Sequence, residues 1–167
     1  MVSMVLIVRR WTTACALALC ASVSTAYAAE PLILDTKIAL GPVAGRIDHL
    51  AIDLGRRRLF VAELGNNSVA VIDLKEQKLI HGIVGLREPQ GVGYHQSTDT
   101  LYVANAGDGS VRMFRGPDYS EAGRVDLNAD ADNIRFDPVT DRIIVGYGSG
   151  ALAVIDPEKR IKVRISH

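Results

Sequence analysis

Leu59-Phe60-Val61-Ala62 is a short apolar run that the chain repeats twice, as Leu101-Tyr102-Val103-Ala104 and as Ile143-Ile144-Val145-Gly146. The three copies begin at residues 59, 101 and 143, so each follows the one before it by 42 residues. A turn that contains glycine follows every copy, and in the third copy this turn is one residue shorter. Short apolar strands that recur at a fixed period of this length are typical of propeller blades.

Each repeat contains four strand candidates, which are separated by turn residues such as Gly, Asn and Asp. In Ser68–Leu74 both alternating sets of side chains are largely apolar, as expected when neighbouring sheets cover both faces of a strand. The sequence therefore predicts an all-β fold, a partial propeller of four-stranded antiparallel blades with repeats over 46–87, 88–129 and 130–167. The predicted strands are Ile47–Asp53, Arg58–Leu64, Ser68–Leu74, Leu79–Val84, Gly91–His95, Thr100–Asn105, Ser110–Arg115, Ala122–Asp126, Asn133–Asp137, Arg142–Tyr147, Ala151–Asp156 and Ile161–Ser166.

Residues 1–28 are predicted to be a secretory signal peptide. Two arginines precede the apolar run 14–23, and Ala26-Tyr27-Ala28 supplies the small residues of a cleavage site before Ala29. An uncleaved membrane anchor is the alternative, but the run is short and rich in Thr, Ser and Ala for a bilayer span. A twin-arginine signal and a lipoprotein signal at Cys20 are further alternatives. We expect a periplasmic or secreted bacterial protein with no stable membrane span after cleavage.

Residues 29–45 lead into the first repeat. Ile33–Leu40 alternates partly between apolar and polar side chains and is predicted to be a strand, which Gly41-Pro42 ends. Counting back 42 residues from the fourth strand of the first repeat leads to this segment. We therefore expect it at the position of an outer strand of a preceding blade.

Composition excludes several classes of function. Both cysteines, Cys15 and Cys20, lie in the signal segment, so the mature chain has neither disulfides nor a thiolate metal site. Without the two signal arginines, 17 of the 19 basic residues remain against 19 acidic ones. The only basic run is Arg56-Arg57-Arg58, which is typical of a solvated turn. We therefore predict no nucleic-acid binding.

The candidate site consists of the residue pairs that precede the first strand of each repeat. These equivalent pairs are Asp48-His49, Gln90-Gly91 and Asp132-Asn133. The first strand of a blade lies nearest the propeller axis, so the pairs are expected to ring one mouth of the channel, where polar groups can bind a small ligand. The predicted ligand-binding residues are Asp48, His49, Gln90, Asp132 and Asn133.

The sequence leaves metal binding at this mouth open. His49 could bind a metal ion, with oxygen ligands from Asp48, Asp130 and Asp132. The alternative is that the aspartates cap turns, which their recurrence between blades favours. His81 and His95 are isolated, and the chain has no Gly-x-Ser-x-Gly elbow and no c-type haem motif. We predict no catalytic residue and no cofactor.

Several motifs resemble one family of secreted bacterial proteins, the YVTN-repeat β-propellers. The resemblance covers residues 46–167 and lies in Arg46–Asp53, Leu59–Val69, Glu88–Val92, Leu101–Asn105 and Asp130–Asn133. It implies a ring of about seven blades, of which this chain looks like an N-terminal portion with three. Since blades bury their faces only against neighbouring blades, the resemblance also implies two open faces through which copies could associate.

Two functions follow as hypotheses. The first is a secreted, non-enzymatic scaffold that binds a protein or a small-molecule ligand through the loops at one end of the blades. The alternative is a fragment of a propeller enzyme that resembles a quinoprotein dehydrogenase or a metal-dependent lactonase, and it rests on fold analogy alone.

Overall fold

The structure is a computed structural model that describes residues 32–166. The predicted signal peptide lies outside the described residues. Within them, no helix is long and apolar enough to cross a membrane. Residues 36 onward form one unit that holds all of the strands.

In the part of the chain that the structure describes, twelve strands form three four-stranded antiparallel sheets, and each sheet takes its strands in sequence order. We call β1–β4 blade one, β5–β8 blade two and β9–β12 blade three. The fold is all-β, and the three sheets are a partial β-propeller that does not close. The strands are β1 Ile47–Asp53, β2 Arg58–Glu63, β3 Ser68–Asp73, β4 Lys78–Ile83, β5 Pro89–His95, β6 Thr100–Asn105, β7 Ser110–Arg115, β8 Glu121–Asp126, β9 Ala131–Asp137, β10 Arg142–Tyr147, β11 Ala151–Asp156 and β12 Ile161–Ser166.

The repeated apolar run forms the second strand of each blade and supplies both blade junctions. Phe60 of β2 and Leu101 of β6 lie in the core between blades one and two. Tyr102 of β6 and Ile143 of β10 lie in the core between blades two and three. Successive side chains of a strand point to opposite faces, so one run serves the preceding junction and the following one.

The lead-in differs from the prediction, because residues 32–44 form no strand. A strand needs a hydrogen-bonded neighbour, and no strand of the described chain pairs with this segment. Ile38 and Leu40 instead pack against the side of blade one that faces away from blade two, where they cover part of a small core of Val61, Ala70 and Ile72.

A polar cluster joins blades one and two at the hairpin between β1 and β2. Arg56 binds Asp53 of its own blade at 3.0 Å and reaches Asp99 of blade two with two hydrogen bonds of 2.9 and 2.5 Å. Its guanidinium also donates to the Tyr94 hydroxyl. Hydrogen bonding to Arg56 lowers the pKa of Asp99, whereas burial raises the pKa of Tyr94 to about 12. The cluster is therefore ionised at Asp99 and neutral at Tyr94 near pH 7.

Replacing Arg56 by Met should destabilise the protein by about 1 to 2 kcal/mol at pH 7, because Asp53 and Asp99 lose their shared donor. The folded-state pKa of Asp99 lies below the ordinary value of 3.8. Its stabilising contribution is therefore present above that value and is lost as the pH falls through the lowered pKa. In urea unfolding, the difference between wild type and Arg56→Met should shrink from pH 7 to acidic pH. Arg87→Met, at an exposed position, is the control, and a difference that does not depend on pH would contradict the prediction.

Candidate functional site

The first strands of the three blades lie side by side. Strand β5 contacts both β1 and β9, and it also contacts β2 of blade one. The three predicted pairs lie at the second and third residues of β1, β5 and β9, and not before these strands as predicted, and they share one end of the blade array. What differs between the blades is how much of each pair remains available to a ligand.

In blade one, Asp48 and His49 form a local polar pair. Arg46 donates to Asp48 Oδ2 through Nε at 3.0 Å and through Nη2 at 2.8 Å. His49 Nδ1 lies 3.0 Å from Asp48 Oδ1, but the direction of approach does not satisfy a hydrogen bond. One third of the His49 side chain is exposed. Asp48 is thus occupied by an arginine, and His49 is the member of the pair that can accept a ligand.

In blade two, Gly91 is a packing residue. A Cβ atom at Gly91 would stand 1.8 Å from the carbonyl oxygen of Asp132, so the backbones of β5 and β9 meet where only glycine fits. Blade two therefore contributes only Gln90, which is half-buried. Sequence equivalence alone does not show this close approach, because the two residues belong to different repeats.

In blade three, Asp132 and Asn133 line a cavity of about 260 Å³ together with Asp130 and the hairpin between β10 and β11. The Oδ1 atom of Asp132 is buried and has no hydrogen-bond partner. Asn133 Oδ1 accepts a hydrogen bond from Arg135. Among the described residues, no basic side chain forms an ion pair with Asp130 or Asp132. The cavity is therefore rich in acceptor oxygens, and its two carboxylates have no ion-pair partner in the described part of the chain.

A second concave surface runs along the middle residues of β1, β5 and β9, the first strands of the three blades. It encloses about 350 Å³ and is lined by apolar side chains, with Arg135 the only charged residue among them. This groove is not among the predicted sites, because its lining residues look like ordinary strand residues in each repeat. The repeats predict that the first strands lie together near the axis, but alternation does not show that their apolar side chains leave a groove between them.

The described residues contain no group of three or more His, Cys, Asp or Glu side chains placed to hold a metal ion. His95 is buried, and its ring bonds Thr98 at 2.8 Å and Asp141 of blade three at 2.9 Å. His81 stacks on Tyr119 with ring centroids 5.0 Å apart. These two histidines therefore join structural elements and do not converge on the mouth.

No protein-family model matches the chain, and no curated protein matches it either. Among solved structures, the chain is similar to hydrazine synthase of Kuenenia stuttgartiensis, with a TM-score of 0.67 and 22% sequence identity. The match covers 81% of this chain and 39% of that protein, so the chain spans about two fifths of the length of its neighbour. At this identity the likeness shows the fold alone, which is that of a β-propeller.

Proposed function

We propose that this chain is a periplasmic or secreted β-propeller repeat protein of the YVTN type that acts as a binding scaffold and not as a catalyst. The observation that supports the binding role is the cavity of blade three, which Asp130 and Asp132 line without an ion-pair partner among the described residues. Carboxylates without a counter-charge favour a ligand that brings positive charge and hydrogen-bond donors.

The chemistry of the cavity selects the class of ligand. Asp130 and Asp132 form no ion pair among the described residues, although Arg135 bonds the adjacent Asn133. Ionised carboxylates accept hydrogen bonds but cannot donate them. The described residues place no group of three or more acidic or imidazole side chains to hold a metal ion here. An organic ammonium group fits, since it carries one positive charge and three donors. The proposed ligand is therefore a small amine.

The alternative, a fragment of a propeller enzyme, receives less support from the described residues. His49 lies beside Asp48, but the structure assembles no third acidic or imidazole ligand with them. A catalytic zinc site uses such a set of three protein ligands.

The test uses 1,4-diaminobutane as the probe and isothermal titration calorimetry as the measurement. We expect one saturable site, whose affinity falls about tenfold in Asp132→Asn, because one charge-assisted hydrogen bond is lost. Added salt should also weaken binding, since the site is partly open to solvent. Asp118→Asn, a change in an exposed turn of blade two, is the matched control. Absence of saturable binding, or an equal loss in both variants, would refute the proposed ligand class.

A further inference from the structure

The outer face of blade one, the face that points away from blade two, is covered only in part. Leu50 and Ile52 of its inner strand are 56% and 46% exposed. The residues one and two repeats beyond Leu50 are Val92 and Ile134, which are 5% and 4% exposed because a preceding blade packs on them. At the position of Leu50, blade one therefore presents a surface that its counterparts bury in a junction, whereas Phe136, the counterpart of Ile52 in blade three, is itself 37% exposed.

Blade three presents the complementary surface on its own outer face. By strand register, the pair Ile144 and Val154 corresponds to the pair Tyr102 and Met113 of blade two. Both residues of blade two are fully buried against blade three. Ile144 and Val154 are only half-buried, and the adjacent Leu152 is 45% exposed.

The charges at the two end faces are complementary, as the repeat positions show. At the junction of blades two and three, His95 bonds Asp141 at 2.9 Å. The repeat position of His95 is held by Asp137 in blade three. The repeat position of Asp141 is held by Arg57 in blade one. If blade three packed on blade one of another molecule in the same way, Asp137 would face Arg57. The described residues offer neither side chain an ion-pair partner within the chain.

The junction of blades one and two supports this correspondence. There the same two positions hold Asp53 and Asp99, which would repel each other, and Arg56 lies between them and binds both. The position of Arg56 is occupied by Thr140 in blade three. Asp137 accepts hydrogen bonds from the Val139 amide and the Thr140 hydroxyl, but no cation pairs with it in the described chain. Arg57 of a second copy would supply that cation.

We propose that two copies of this chain associate head to tail, with the outer face of blade three of each packed on the outer face of blade one of the other. Head-to-tail contacts close into a ring when the rotation between neighbouring copies fits a whole number of copies, and otherwise they form an open filament. The lead-in must move aside, because Ile38 and Leu40 cover part of the outer face of blade one. It acts as an intramolecular competitor of the second copy.

This association would also complete the predicted mouth. Within the chain, the start of β9 packs against the start of β5 at Asp132 and Gly91. Asn133 holds the position of Gly91 in blade three, so the contact between copies would instead follow the junction of blades one and two, where His49 and Gln90 hold these positions. It would bring Asp48 and His49 of the second molecule next to Asp132 and Asn133 of the first. The inference rests on the end faces and not on the proposed ligand, so the two proposals can fail separately.

The test is sedimentation equilibrium of the full chain at protein concentrations that span about 100-fold. A wide range is needed because the fraction of dimer rises with protein concentration by mass action. We expect a monomer–dimer equilibrium. Arg57→Asp should weaken the dimer about tenfold or more, because two acids then face each other at each of two contacts. The turn tolerates this change, since the equivalent Asp99 and Asp141 share the positive φ of Arg57. Lys75→Asp makes the same change of charge in an exposed turn of blade one and should leave the dimer intact.

Ile38→Ser should act in the opposite direction and strengthen the dimer, because it weakens the packing of the lead-in on blade one. A strictly monomeric wild type would overturn the proposal unless Ile38→Ser then forms the dimer. Equal effects of Arg57→Asp and Lys75→Asp, or growth beyond the dimer into a ladder of larger species, would also overturn it.

Discussion

Replacing Gly91 by Ala is expected to lower the free energy of unfolding by about 3 kcal/mol or more, which is the upper range for forced overpacking. The added Cβ would stand 1.8 Å from the carbonyl oxygen of Asp132, 2.9 Å from its carbonyl carbon and 3.2 Å from the Ala104 Cβ. Two of these three atoms belong to the backbone of β9, which cannot yield by rotating a side chain. The strands β5 and β9 must separate, and the core between blades two and three must loosen with them.

Gly82→Ala is the matched control for this experiment. Gly82 lies in the outer strand β4, has no atom within 4 Å of the site of an added Cβ, and has no positive φ. Its substitution should change stability by less than about 0.5 kcal/mol. Urea unfolding followed by fluorescence measures both variants. A Gly91→Ala variant as stable as Gly82→Ala would show that β5 and β9 do not meet as described.

The blades could be predicted from the sequence because the period and the alternation act within one repeat. Each copy of the apolar run must bury both faces, so its strands, their order and their approximate ends follow from local pattern. The ends shift where a strand continues into a turn, as at Leu64, which begins a short 3₁₀ turn after β2. The lead-in was predicted as a strand because pattern alone cannot reveal whether a hydrogen-bonding neighbour exists.

The candidate site was harder to predict because it depends on contacts between repeats. Gln90-Gly91 looked like a polar pair equivalent to the other two, yet Gly91 is fixed by the backbone of the next blade. The bond between His95 and Asp141 joins residues 46 positions apart, so the 42-residue period does not reveal it. Asp132 was identified from its repeat position, but its lack of a partner is visible only in three dimensions.

Phe60→Ala is expected to cost about 3 to 5 kcal/mol, the usual range for removing a buried aromatic side chain. Phe60 is 1% exposed, stacks on Tyr94 at a centroid distance of 5.7 Å and meets Tyr119 edge-on at 6.2 Å. Both partners belong to blade two, so the cavity would open in the junction itself. The effect should therefore appear as loss of contact between blades as well as loss of stability.

Ile144→Ala is the informative comparison, because Ile144 holds the position of Phe60 in blade three but is only half-buried. In dilute protein its cost should be about 1 kcal/mol, since little apolar area is uncovered by the change. If two copies pack as proposed, this cost must grow with protein concentration, because association stabilises only the folded state, and the cost of Phe60→Ala should grow much less. Urea unfolding of both variants at low and high protein concentration measures this difference. A cost of Ile144→Ala that stays small at every concentration would mean that the outer face of blade three remains open to solvent, and a large cost in dilute protein would mean that part of the same molecule covers it.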